Sequence, residues 1–157
     1  MSENMIAGVM LSVSEQIVIQ NNIIQKNHQE GIHLTSSNNN EITDNSIWNN
    51  VPVGINIVSS SNNNVITRNN IWNNDQYGVF IMQSSGNILS LNDFNRYHGY
   101  GQNAKDSSKN SWDANNQGNY WDDYNWYDNN SDGIGDIPYS IPGGNNKDNY
   151  SLGDFIE

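Results

Sequence analysis

Apolar and polar residues alternate along this chain in short phrases that return at a fixed interval. Ile32-His33-Leu34, Ile55-Asn56-Ile57 and Val79-Phe80-Ile81 each follow a glycine, and Val9-Met10-Leu11 follows Gly8 more loosely. Alternation with a period of two is the pattern of a strand with one buried face. The leading glycines Gly8, Gly31, Gly54 and Gly78 lie 23, 23 and 24 residues apart. A second phrase follows each first one: Ile42 to Ile47, Ile66 to Ile71, Leu89 to Phe94, and Val18 to Ile23 in the first segment. Ser- and Asn-rich stretches such as residues 36–40 and 59–64 separate the two phrases as corners. No window has the three-and-four spacing of a helix. Each period therefore predicts at least two short strands, and no helix is expected in the repeats.

One such unit cannot bury its apolar face alone, so a fixed period means stacking. About 22 to 24 residues per turn suits a parallel β-helix. Stacking places equivalent residues above one another at about 4.8 Å. Four apolar columns follow: Ile32/Ile55/Val79, Leu34/Ile57/Ile81, Val18/Ile42/Ile66/Leu89 and Ile23/Ile47/Ile71/Phe94. Two asparagine columns accompany them, Asn21/Asn45/Asn69/Asn92 and Asn40/Asn64/Asn87. Asparagine tolerates left-handed corners and bonds its own backbone, and stacked amides bond one another along the axis. Asn-rich composition also occurs in disordered chains, but disorder does not produce columns in register.

At 157 residues the chain is read as one domain, with rungs over residues 1–100 and a capping segment over 101–157. Hydrophobic content is only 34%, which suits a narrow solenoid core. The net charge of −11 and the lack of a basic patch argue against nucleic acid as a partner. There is no cysteine, so neither disulfides nor a thiolate metal site are available. No run is long enough for a membrane span, and the N-terminus has no signal-peptide pattern. Repeat-like sequence begins within the first ten residues, leaving no room for an N-terminal cap. An uncapped solenoid end is an exposed edge, so missing upstream rungs or another chain are expected to cover it.

Residues 99–157 differ from the repeats. They carry ten of the 17 acidic residues and most of the Tyr and Trp, which are expected to pack over the last rung. This segment contains Gly118-Asn119-Tyr120-Trp121, then Asp132-Gly133-Ile134-Gly135-Asp136, then Asp148-Asn149-Tyr150-Ser151-Leu152. With the Gly-Ile-x-Leu and Asn-x-Ile rungs, it resembles the NosD-type right-handed parallel β-helix family, over nearly the whole chain. Ser151 departs from the proline usual there. The resemblance implies an all-β, right-handed parallel β-helix solenoid of about four rungs, with an irregular aromatic and acidic C-terminal cap. It also implies an extracellular or cell-surface location, and a fold similar to carbohydrate-binding and sugar-hydrolysing β-helices.

Four chemistries have candidates. Asp128, Asn130, Asp132, Ile134 and Asp136 follow the first half of an EF-hand loop, with Gly133 at the sharp turn. The twelfth position is Tyr139 rather than Glu, so a calcium site needs another carboxylate, such as Asp122 or Asp123. Trp48 and Trp72 share one column just after a core Ile, with Ile24 below and Asn95 above. They are expected to point outward as an aromatic ladder that contacts a polysaccharide or a covering segment. Asp93, Arg96 and His98 could supply acid/base groups, but the rungs carry mostly Asn, which neither donates nor abstracts a proton. For copper the donors are His28, His33, His98, Met10 and Met82, which the sequence does not cluster. Asn129 and Asn149 stand in glycosylation sequons.

The leading reading is a non-catalytic surface module that is structural and glycan-binding, with a calcium loop. The alternatives are a polysaccharide lyase or hydrolase fragment and a copper-handling accessory protein. Outer faces of Asn, Ser and Trp favour the first; clustered charged residues favour an enzyme.

Overall fold

The computed structural model describes residues 6–96, 101–125 and 127–155. Among them every regular element is a strand. Each of the first four turns carries three strands, one more than the minimum that the repeat predicted. The first turn holds β1 (Val9–Ser12), β2 (Val18–Gln20) and β3 (Ile23–Gln25). The second holds β4 (Ile32–Thr35), β5 (Glu41–Thr43) and β6 (Ser46–Trp48). The third holds β7 (Val53–Val58), β8 (Val65–Thr67) and β9 (Asn70–Trp72). The fourth holds β10 (Tyr77–Met82), β11 (Ile88–Ser90) and β12 (Asp93–Asn95). A fifth turn follows with β13 (Gln102–Asp106) and β14 (Tyr120–Trp121), and the tail adds the pair β15 (Tyr139–Ser140) and β16 (Lys147–Asp148).

Strands stack in parallel on their equivalents, in the orders β1-β4-β7-β10-β13, β2-β5-β8-β11 and β3-β6-β9-β12-β14. This is a parallel β-solenoid of about five turns. The inward columns are Ile32/Ile55/Val79/Ala104, Leu11/Leu34/Ile57/Ile81, Ile19/Ile42/Ile66/Leu89 and Ile24/Ile47/Ile71/Phe94. All are buried.

The first turn corrects the sequence reading by one residue. Ile19, not Val18, stands below Ile42, and Ile24, not Ile23, stands below Ile47. Val18 and Ile23 point outward and are 58% exposed. Asn22, not Asn21, meets Asn45. The first turn doubles each marker, as Val18-Ile19, Asn21-Asn22 and Ile23-Ile24, so composition accepted either register. A one-residue slip turns every side chain to the other face, and only the spacing from the leading glycine selects the right one: 11 residues from Gly8 to Ile19, as from Gly31 to Ile42 and from Gly78 to Leu89.

Three asparagine ladders run inside the corners. Asn22, Asn45, Asn69, Asn92 and Asn119 bond side chain to side chain, each amide donating to the next turn at 3.0–3.1 Å. Asn40, Asn64, Asn87 and Asn110 form the second, and Asn27, Asn50 and Asn74 the third. Each Asn Oδ1 also accepts the backbone N–H of the equivalent residue one turn earlier, as Asn69 Oδ1 does from Asn45 N. Corners leave such N–H groups without a strand partner, and a buried one left unpaired costs as much as a lost hydrogen bond. Asparagine serves here because its short amide accepts and donates at once. Beside the ladders, left-handed residues turn the chain: Asn21, Asp44, Arg68 and Leu91 form one such column, with φ between 53° and 56°.

The glycines mark close approach. A Cβ on Gly54 would lie 2.6 Å from the Gly78 carbonyl and 2.7 Å from the Asn74 amide. At the C-terminal end the fourth column continues in aromatic rings. Trp121 stacks on Phe94 at 4.4 Å, and Tyr139 stacks on Trp121 at 4.2 Å. The expected aromatic closure of the last rung is therefore present. No described helix is long and apolar enough to cross a membrane.

Candidate functional site

The outward face of the third sheet is set by alternation. Each strand of the form polar-Ile-Trp buries its central residue and turns its neighbours out. The outward positions are Ser46/Asn70/Asp93/Tyr120 in one column and Gln25/Trp48/Trp72/Asn95 in the next. Gln25, rather than Ile24, therefore stands below Trp48, a consequence of the same one-residue correction. The Trp48 and Trp72 rings stack with centroids 4.7 Å apart and planes 10° apart. Both are half-buried, and each covers one face of the other.

Beside the first of these columns lies a groove of about 250 Å³, lined by Asp44, Asn45, Ser46, Arg68, Asn70, Leu91 and Asp93. Arg68 Nε donates to Asp44 Oδ1 at 2.9 Å. That bond is the main reason the Asp44 carboxyl sits below its ordinary pKa. Asp44 therefore stays a carboxylate at neutral pH and is unsuited to donate a proton. Asn70 also lines a second cavity of about 220 Å³, with Trp72, Asn95 and Phe155. Two depressions of different character thus meet at one amide. Arg68, Ser46, Asn70 and Phe155 were not singled out in the sequence. The 24-residue spacing of Asp44 and Arg68 carried a signal, since it places them in one column; Phe155 lies outside the repeat and had none.

The acid/base group separates. Asp93 lies in the groove, while Arg96 Nε bonds Asp122 Oδ1 at 3.4 Å, and His98 is outside the described residues. Asp122 and Asp123 serve the end of the solenoid: Asn103 Nδ2 donates to both, at 2.6 and 2.9 Å.

The loop 128–136 closes on itself. Asp128 accepts from the backbone N–H groups of Ser131 and Gly133, Asp132 from Ile134, and Asp136 from Asn129, at 2.7–3.0 Å. Asn130 Oδ1 accepts from Asp132 N. Gly133 turns the loop at φ +83°.

For soft metals, the register places Met10 beside His33. His33 Nδ1 lies 3.5 Å from Glu30 Oε1 and 3.3 Å from Asn56 Nδ2. Met82 stands beside Val58 instead, and His28 lies outside the strands. Among the described residues no three or more His, Cys, Asp or Glu side chains group to hold a metal ion.

A family model described as periplasmic copper-binding protein (NosD) matches residues 1–126. No curated protein and no solved structure gives a significant match to the chain.

Proposed function

The chain belongs to the NosD family, and from that premise we propose that it is a non-catalytic β-helix module of a periplasmic or cell-surface protein, which contacts glycan through the outward face of its third sheet. The observation that carries this reading is the stacked Trp48/Trp72 pair alongside a groove of hydroxyl, amide and paired charged groups. Aromatic rings supply apolar area, and the neighbouring amides supply both donors and acceptors. The family's description as periplasmic supports the location. Copper handling, which the family's description names, has less support, because among the described residues no three His, Cys, Asp or Glu side chains group to hold a metal ion.

The test is a panel of neutral and acidic polysaccharides titrated while following tryptophan fluorescence. Binding that is lost in the Trp48→Ala/Trp72→Ala variant supports the reading. A flat signal across the panel refutes it.

The loop 128–136 is also proposed as a calcium site on the spacing of Asp128, Asn130, Asp132, Ile134 and Asp136 alone, since its carboxylates are not grouped as metal ligands in this structure. Calcium would have to draw the carboxylates from the backbone N–H groups they now accept. Added to chelator-treated protein, it should raise the melting temperature; an unchanged temperature leaves the loop as a self-closed turn.

A further inference from the structure

The cavity beside Asn70 has one wall that the repeat does not supply. Phe155 comes from the C-terminal segment, and its ring lies 4.3 Å from that of Tyr120, at 34°. Tyr120 is the register partner of Asp93, so this contact holds Phe155 over the outward face of the third sheet. From there Phe155 lines this open depression together with Asn70, Trp72 and Asn95. Phe155 itself is 56% exposed, so the contact with Tyr120 leaves much of its surface available.

We propose that this cavity is a subsite for one uncharged sugar ring, held between the side chains of Trp72 and Phe155, with the Asn70 and Asn95 amides bonding its hydroxyls. The proposal rests on the glycan reading above and narrows it. Two observations carry it, the lining and the volume, together with the chemistry of the groups involved. The lining is two aromatic rings and two amides, with no charged residue. Aromatic rings match the apolar C–H faces of a sugar ring. An amide both donates and accepts, as a hydroxyl does. The volume, about 220 Å³, is below the roughly 300 Å³ at which drug-sized ligand pockets begin, which suits a single ring. A uronate would find no cation in this lining and would approach a chain of net charge −11. Because Asn70 lines both depressions, further sugar units extend from the cavity into the groove of Asp44, Arg68 and Asp93.

The experiment compares the full chain with its Phe155→Ala, Phe155→Tyr and Asn70→Ala variants. The probes are uncharged hexasaccharides (β-1,4-glucan, β-1,4-xylan and β-1,4-mannan) and two acidic ones, polygalacturonate and alginate. Binding is read by calorimetry and tryptophan fluorescence, and folding by thermal unfolding. The expected result is binding of at least one uncharged chain, weakened roughly ten-fold or more by Phe155→Ala and by Asn70→Ala and retained in Phe155→Tyr, with little change in melting temperature. Two results overturn the subsite while leaving the glycan reading intact: binding of acidic chains only, or binding of an uncharged chain that Phe155→Ala leaves unchanged. No binding by any probe overturns both.

Discussion

At the scale of the residue, the buried asparagines hold the corners. Asn69 is 1% exposed. Its amide donates to the Ile42 and Thr67 carbonyls and to Asn92 Oδ1, while its own Oδ1 accepts from Asn45 N and Nδ2. Asn69→Ala would leave the buried Asn45 backbone N–H without an acceptor, worth about 1–3 kcal/mol, and would also remove the side-chain bonds to Ile42, Thr67 and Asn92. The expected loss is about 3 kcal/mol or more, measured by urea unfolding. Asn69→Asp keeps the acceptor but cannot donate, and should recover only part of it. The glycine column makes the complementary prediction. Gly54→Ala places a methyl against the Gly78 carbonyl, which cannot move without shifting the next turn. Overpacking of this kind costs about 1–3 kcal/mol, and the same unfolding assay reads it.

At the scale of the element, the ladders have a direction. Every amide-to-amide bond within the three ladders donates toward the C-terminal end, and two ladders finish on buried carboxylates. Asn110 Nδ2 donates to Asp106, and both N and Nδ2 of Asn119 donate to Asp148. Asp106 and Asp148 are each 0% exposed. Each also receives an indole N–H, from Trp112 and Trp121 respectively, so each ties an aromatic of the cap to the end of a ladder. Burial pushes Asp148 up to about 6 from 3.8, although the N–H donors of Trp121 and Asn119 pull it down. The folded state therefore holds this proton more tightly than the unfolded one. Its contribution to stability is fully present below about pH 4 and is lost as pH rises through about 6, a change of up to about 3 kcal/mol. Melting temperature should fall between pH 4.5 and 7 through this group. Asp148→Asn should flatten that slope; an unchanged slope would assign it to other carboxylates.

At the scale of the whole molecule, the solenoid is nearly one-dimensional, so each turn is stabilised by its neighbours. Turns three and four have partners on both sides. Among the described residues the first turn pairs through one edge, and Met10, Val13, Ile17, Val18 and Ile23 are all exposed there. Hydrogen exchange should therefore be fastest in β1 to β3 and slowest in β7 to β9. Equal protection throughout would mean that the molecule opens as one cooperative unit.

The sequence alone determined the solenoid, because a repeated apolar column has one way to be buried: beneath its own copy in the next turn. It also determined the outward direction of Trp48 and Trp72, since alternation follows from strand geometry. The register of the first turn was legible only in the spacing from Gly8, because doubled residues satisfied both choices. Other features were decided by the tertiary structure. The ladder ends on Asp106 and Asp148 and the approach of Phe155 to Asn70 join residues through contacts that no local pattern encodes. Periodicity reports what recurs along the chain. The ends of the solenoid and its groove depend on contacts made once, and such contacts exist only after the chain has closed on itself.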